Sequence, residues 1–260
     1  MLPRLKTEDV RGIDAYGLKH RARGWGASLI GVADLERLRG IQTEPADLLS
    51  GFTRAVSLGV RLSDPVLDAI VDQPTPLYAQ HYQKVNALLD DLALRVSLAL
   101  QSAGGRALPL PASQVLDAAN LTSYLSHKAV ALAAGLGWQG KSLLLVTPQC
   151  GPRVRLVTVL TDVDLAPDTP LANRCGHCRA CTEACPAQAI RGVNTTSHYA
   201  SREEALFFDR CRTKVLDEFA KLPHISGGIC GVCVSVCPFG KRGGKKGCNR
   251  GGSRGASKRP

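Results

Sequence analysis

The chain has 260 residues, with 33 Lys and Arg against 22 Asp and Glu and a formal net charge of +11. Apolar residues make up 44% and charged residues 21%, which supports a packed core and excludes disorder over most of the length. Ten cysteines in a chain this long exclude a small disulfide-stapled domain, so they need another explanation. In chain order, Thr7–Arg23 reads as a helix ended by Gly24 and Gly26. The apolar run at 27–33 (ASLIGVA) and the stretch Thr53–Leu62 read as strands. A short helix follows Ser63-Asp64-Pro65. Leu77–Ser102 is the longest helical signal, with Val85, Leu88, Leu89, Leu92, Val96, Ala99 and Leu100 on one apolar face and Gly104-Gly105 as the stop. Arg106–Leu110 reads as a strand and Ser123–Ala134 as a shorter helix closed by Gly135. Ser142–Thr147 and Val154–Asp162 read as two strands of a hairpin, turning through Pro148, Gly151 and Pro152.

This order is not a regular alternation of strand and helix, so the expected class is α+β rather than a doubly wound parallel sheet. No G-x-G-x-x-G follows a strand to open a helix, which argues against a nicotinamide site. A Pro-containing linker at 166–173 (APDTPLAN) precedes a change to cysteine-rich sequence. The expected division is an α+β cofactor domain over 1–165, a ferredoxin-like domain over 166–239 and a basic tail over 240–260.

The tail holds eight Lys and Arg and no acid, leaving 25 basic against 22 acidic residues, a net of +3, in the rest. It is expected to be disordered when free. Two readings stay open: an arm for tRNA or another polyanion, and a solvated tail. The charged N-terminus has no signal-peptide core, and no run of 18 apolar residues offers a membrane span. A cytoplasmic protein without membrane contact is expected. In a reducing compartment clustered cysteines bind metal more often than they pair.

Cys175 to Pro186 reads C-x2-C-x2-C-x3-C-P, the bacterial ferredoxin run for a [4Fe–4S] cluster. Cys211, Cys230, Cys233, Cys237 and Pro238 repeat it in expanded form. In two-cluster ferredoxins the cysteine before proline serves the other cluster. Cluster one then takes Cys175, Cys178, Cys181 and Cys237, and cluster two Cys185, Cys211, Cys230 and Cys233. Zinc prefers separate paired C-x2-C knuckles, for which the first run is too dense. Cys150 and Cys248 fall outside the pattern. Two adjacent clusters make a short electron wire but reduce no substrate alone.

The runs AGLGWQGKSLLLVTP (134–148) and GPRVRLVTVLTD (151–162), followed by the cysteine motif, resemble epoxyqueuosine reductases. The resemblance implies a nitroreductase-like corrinoid-binding domain followed by a two-cluster ferredoxin-like domain. It implies a cobalamin between them, reduced through the clusters, for reductive chemistry on an electrophilic substrate. A flavin is the alternative cofactor, since related folds hold flavins. A second function stays open: an electron-transfer module that reduces a partner's or a bound corrinoid without substrate turnover. Either needs an external electron donor such as ferredoxin, flavodoxin or a reductase. The family's proton-donating Asp would stand fourteen residues before Gly135, where this chain has Leu121; the nearest acid is Asp117. The family's C-terminal helical-repeat domain has no counterpart after Pro238.

Candidate cofactor contacts are Gly135, Gly137 and Gly140, which allow close backbone approach, Trp138 for stacking and Lys141 for a phosphate. Each also has a plain structural reading, as cap, turn, core residue or exposed lysine. Tyr124, His127 and Asp162 are candidate proton donors. Tyr124 and His127, three apart, are expected to share a helix face.

Overall fold

A computed structural model describes residues 12–117 and 120–241. Residues 7–11 of the first expected helix and most of the basic tail lie outside the described residues. Helix α1 runs Ala15–Gly24, capped by Asp14, whose carboxylate accepts from the Gly17 N–H at 2.7 Å. Strands β1 (Leu29–Asp34), β2 (Arg54–Arg61), β3 (Ala107–Leu110) and β6 (Val154–Thr161) form one antiparallel sheet in the order β1-β2-β6-β3. Between β2 and β3 come α2 (Asp64–Asp68) and the long α3 (Pro76–Ser102). Thr75 caps α3, and Pro76 opens it at a position that needs no N–H donor.

Alternation along the strands serves two cores. Ile30, Val32, Val56, Leu58, Val157 and Val159 meet α1 and α3 on one face. Leu29, Ala33, Ala55, Leu156 and Leu160 meet α4 (His127–Ala133) on the other. The architecture is mixed α and β with an antiparallel sheet, as expected. On α3, Val85, Leu89, Leu92, Val96 and Leu100 are buried, whereas Leu88 sits at the edge of the stripe and is exposed.

The expected hairpin is corrected. β5 is only Leu145–Val146 and pairs with β4 (Trp138–Gln139), while β6 lies centrally between β2 and β3. Six consecutive residues of β6 are buried, so it needs a neighbour on each edge, which a two-residue strand cannot provide. The turn does another job. Gly151 has φ +55°, and a Cβ there would stand 2.4 Å from the Gly240 N, so the turn seats the C-terminal segment. Helix α4 is also shorter than expected. Ser126 caps it, accepting from the Ala129 N–H, so Tyr124 precedes the helix and shares no helical face with His127.

The linker after β6 is strapped down. The Asp168 carboxylate accepts from Lys19 Nζ at 2.6 Å and from the Val32 N–H at 2.8 Å. Beyond it come the short helices α5 (Ala180–Glu183), α6 (Arg202–Ala205), α7 (Phe208–Thr213) and α8 (Val232–Ser235). Ile225, Ile229, Val232 and Val234 then join the α1–α3 core, so packing is continuous across the expected boundary at 165/166.

Candidate iron–sulfur and cofactor site

The cysteines gather as two sets. The Cys175 carbonyl accepts from the Cys178 N–H at 3.0 Å, which curls the first loop, and α5 brings in Cys181. Cys237 arrives from the far end of the chain. These four line one cavity together with Cys233, Gly140, Lys141 and Phe239. Burial pushes the Cys181 thiol up to about 11, with Cys175 and Cys178 adding to it. Burial likewise pushes Cys237 up to about 12, the Phe239 N–H opposing and Cys175, Cys181 and Cys178 adding.

Cys211 on α7 and Cys233 on α8 belong to the second set with Cys230 and Cys185. Burial raises Cys211, and its cysteine neighbour is Cys185. Cys230 is pushed up to about 11 by burial, its cysteine neighbours being Cys211 and Cys185. Cys233 is raised well above its usual range by burial, then by Cys230, Cys181, Cys211 and Cys185. Cys237 thus lies beside Cys175, Cys178 and Cys181, and Cys185 is a neighbour of Cys211 and Cys230. Cys233 shares the first cavity with Cys181, so the two sets adjoin there.

The donor set fits iron–sulfur clusters. Crowded buried thiols resist ionising alone, and a cationic iron core supplies the missing charge.

The glycine-rich run builds the wall of the first set. A Cβ on Gly140 would stand 3.7 Å from Cys175 Sγ and 2.7 Å from Val146 Cγ2. Added Cβ atoms on Gly135 and Gly137 would meet the Thr169 and Val146 carbonyl oxygens at 2.4 and 2.3 Å, so both glycines allow tight backbone crossings. Trp138 is buried, and its ring meets Phe239 edge-on at 5.0 Å. Lys141 is 6% exposed and donates to the Cys178 carbonyl at 3.0 Å. None of these five residues lines the large cleft described next.

That cleft, of about 680 Å³, lies where α3, α4 and β6 face the cysteine-bearing segment. Cys230 and Cys233 line it, so the second set reaches its wall. Of the three expected proton donors only His127 lines it. The His127 ring is held at both nitrogens, Nε2 at 2.9 Å from the Pro111 carbonyl and Nδ1 at 2.9 Å from Thr158 Oγ1. A carbonyl only accepts, so Nε2 carries the proton and the Thr158 hydroxyl donates to Nδ1. Burial holds the His127 pKa below its usual value. Tyr124 packs against the second core. The Asp162 carboxylate accepts from the Arg106 N–H at 2.7 Å at the end of β6. Leu121, at φ +50°, also lines the cleft.

Sequence reading missed Lys128, Arg155 and Arg202, which line the same cleft. They come from α4, β6 and α6, so no spacing joins them; only the placement of β6 inside the sheet could have done so. Cys150 is buried, with its Sγ 3.2 Å from Thr147 Oγ1. Cys248 lies outside the described residues.

Residues 174–240 match the 4Fe-4S double cluster binding domain family. An epoxyqueuosine reductase of Listeria monocytogenes is 32% identical over 120 residues, which cover 46% of this chain and 31% of that protein. A reductive dehalogenase, described with a mechanism for B12-dependent dehalogenation, superposes with a TM-score of 0.72 at 19% identity, covering 92% of this chain and 34% of that one. An epoxyqueuosine reductase bound to a tRNA stem loop superposes with a TM-score of 0.54 at 23% identity, covering 86% and 64%. The chain therefore spans about a third of the curated relative's length and shares its fold with both structures.

Proposed function

We propose that this chain, epoxyqueuosine reductase-like over some 120 residues and ferredoxin-like over 174–240, is an iron–sulfur oxidoreductase. In this reading it passes electrons through two [4Fe–4S] clusters to a cobalamin in the large cleft, for reductive chemistry on an electrophilic substrate. The observation that carries the reading is where the second cysteine set ends. Cys230 and Cys233 stand in the wall of a ligand-sized cleft, so electrons leaving that cluster arrive where a cofactor can lie. The cleft fits a broad, mainly apolar ring, since Leu62, Leu144, Leu156 and Ile229 line it. Bound cobalamin would supply a metal centre able to take electrons and attack electrophilic carbon.

The chain's own residues have separable tasks. Cys175, Cys178, Cys181 and Cys237 hold the cluster distant from the cleft, and Cys185, Cys211, Cys230 and Cys233 hold the near one. Gly135, Gly137, Trp138, Gly140 and Lys141 shape the distal wall. His127 ties the cleft wall to Pro111 and Thr158. Residues 1–165 act as the cofactor domain, nitroreductase-like in ancestry, and 166–239 as the cluster domain. An external one-electron donor feeds the pair in the cytoplasm, and the basic tail offers an arm for a polyanion such as tRNA.

The test is the visible spectrum of anaerobically purified, cluster-loaded protein, titrated with cobalamin and separately with flavin. Saturable changes in the cobalamin bands support the reading; binding of flavin alone, or of neither, overturns it. One observation favours a second reading, an electron-transfer module without turnover. The cleft position where the resemblance expects an acid is Leu121, which carries no proton. Turnover of an electrophile by the isolated protein would rule that module out.

A further inference from the structure

We propose that the cleft recognises an oxyanion, a carboxylate or phosphate, between Lys128, Arg155 and Arg202. The proposal rests on reading this cleft as the reductase's working site and adds the class of ligand it takes. Among the described residues three cationic side chains line the cleft and no Asp or Glu does. Lys128 makes no hydrogen bond or ion pair among the described residues, although the cleft wall half-buries it. Arg155 donates through Nε to Asn86 Oδ1 at 3.0 Å, and its guanidinium lies 4.1 Å over the Tyr82 ring. Both contacts fix the group's plane and neither neutralises its charge. Arg202 donates to the Asn120 carbonyl at 2.7 Å, and its one ion pair among the described residues is with Glu203, whose side chain is 61% exposed. Three positive charges therefore face one cleft with a single solvent-screened carboxylate among them, and the other anionic groups at its wall are the cluster thiols Cys230 and Cys233. Cations gathered in a partly desolvated space repel each other and forgo hydration, and an anion seated between them recovers both costs.

Two sources could bring the oxyanion: the substrate itself, or the nucleotide phosphate of the corrinoid. Anaerobic titration calorimetry on cluster-loaded protein separates them, using benzoate against neutral benzamide, with and without cobalamin, and cobalamin against cobinamide, which lacks the nucleotide phosphate. We expect benzoate to bind at least about tenfold more tightly than benzamide, and Lys128→Gln or Arg155→Gln to remove that preference while Lys128→Arg keeps it. If the variants instead weaken cobalamin by at least about tenfold and leave cobinamide unchanged, the oxyanion site stands and the corrinoid is its source. Equal binding of benzoate and benzamide, with cobalamin affinity unchanged in both variants, overturns the proposal. So does a shifted cluster potential in Lys128→Gln with no change in anion binding, which would make the lysine a counter-charge to the cluster. Benzoate preference without any cobalamin binding would refute the corrinoid reading and leave the oxyanion site intact.

Discussion

Arg153 should be the tie between the sheet and the cluster-bearing segment, and its replacement by Met tests that. The side chain is 1% exposed. Its guanidinium reaches Asp64 at 3.1 Å and Asp68 at 2.6 Å on α2, and the Ser235 carbonyl at 3.1 Å on α8. Burial opposes ionisation of Asp64, but Arg61 and Arg153 outweigh it and hold its carboxyl below the usual range. Met retains much of the apolar stem, so the loss is mainly polar. The Asp68 pair is 56% exposed on the acid side and contributes about 1 kcal/mol at most. Asp64 keeps Arg61 at 2.7 Å, which limits its loss to about 1 kcal/mol. The buried Ser235 carbonyl loses a charged donor, at about 1 to 3 kcal/mol. The sum is roughly 3 kcal/mol. For a chain of this size that lowers Tm by roughly 6 to 12 °C. Circular dichroism and cluster absorption, followed in one anaerobic melt at fixed scan rate, should show both signals moving together. A Tm unchanged within about 2 °C would refute the reasoning, because it would mean that Arg153 carries no interface energy.

Three further outcomes are expected. Cys237→Ser and Cys185→Ser should each remove about half of the roughly eight irons per chain, and spectra of the surviving cluster should differ between them; identical spectra would contradict the crossed scheme. Gly151→Ala should destabilise the protein by about 2 kcal/mol or more, because its Cβ meets the Gly240 N at 2.4 Å, whereas Gly26→Ala at φ +115° has open space and should cost about 1 kcal/mol; equal urea midpoints for the two would count against the seating role of the turn. The folded-state pKa of His127 lies below its ordinary 6.5, so above that pH both folded and unfolded states are neutral and its contribution is full. As pH falls below 6.5 the unfolded chain protonates first and stability declines until the folded pKa is passed. Urea midpoints at pH 7.5 and 5.5 should show a drop that is smaller in His127→Gln.

The parts of this molecule legible in its sequence are those whose chemistry is local. Cysteine spacing is set by the geometry of one loop, so the double-cluster motif could be read directly. The α3 stripe repeats a helical period over enough residues to be unambiguous, and β1 and β2 are short apolar runs of strand length. The β5–β6 pairing was misread because two apolar runs flanking a Gly-Pro turn look alike whether they pair with each other or with distant strands. The burial of β6 on both faces decides that, and burial is a property of the whole sheet. The same limit hid Lys128, Arg155 and Arg202, since three ordinary surface-type residues become a cluster only once α4, β6 and α6 surround one cleft. The Gly135–Lys141 run lies beside the Cys175 set and not along the large cleft. Its contacts go to Val146, Thr169 and Cys178, on the distal wall.

The proposed ligand scheme, in which Cys185 and Cys237 change halves, has a consequence for assembly. Cys175 and Cys237 are 62 positions apart, so the first four-thiolate nest does not exist until the ribosome has made nearly all of the folded body. The second nest needs Cys185 from the earlier half and Cys230 and Cys233 from the later one. Neither metal group can be installed on a half-finished chain, and each, once installed, staples two distant stretches of polypeptide together. In that scheme iron loading follows completion of the domain, and loss of either cube removes one of the two staples.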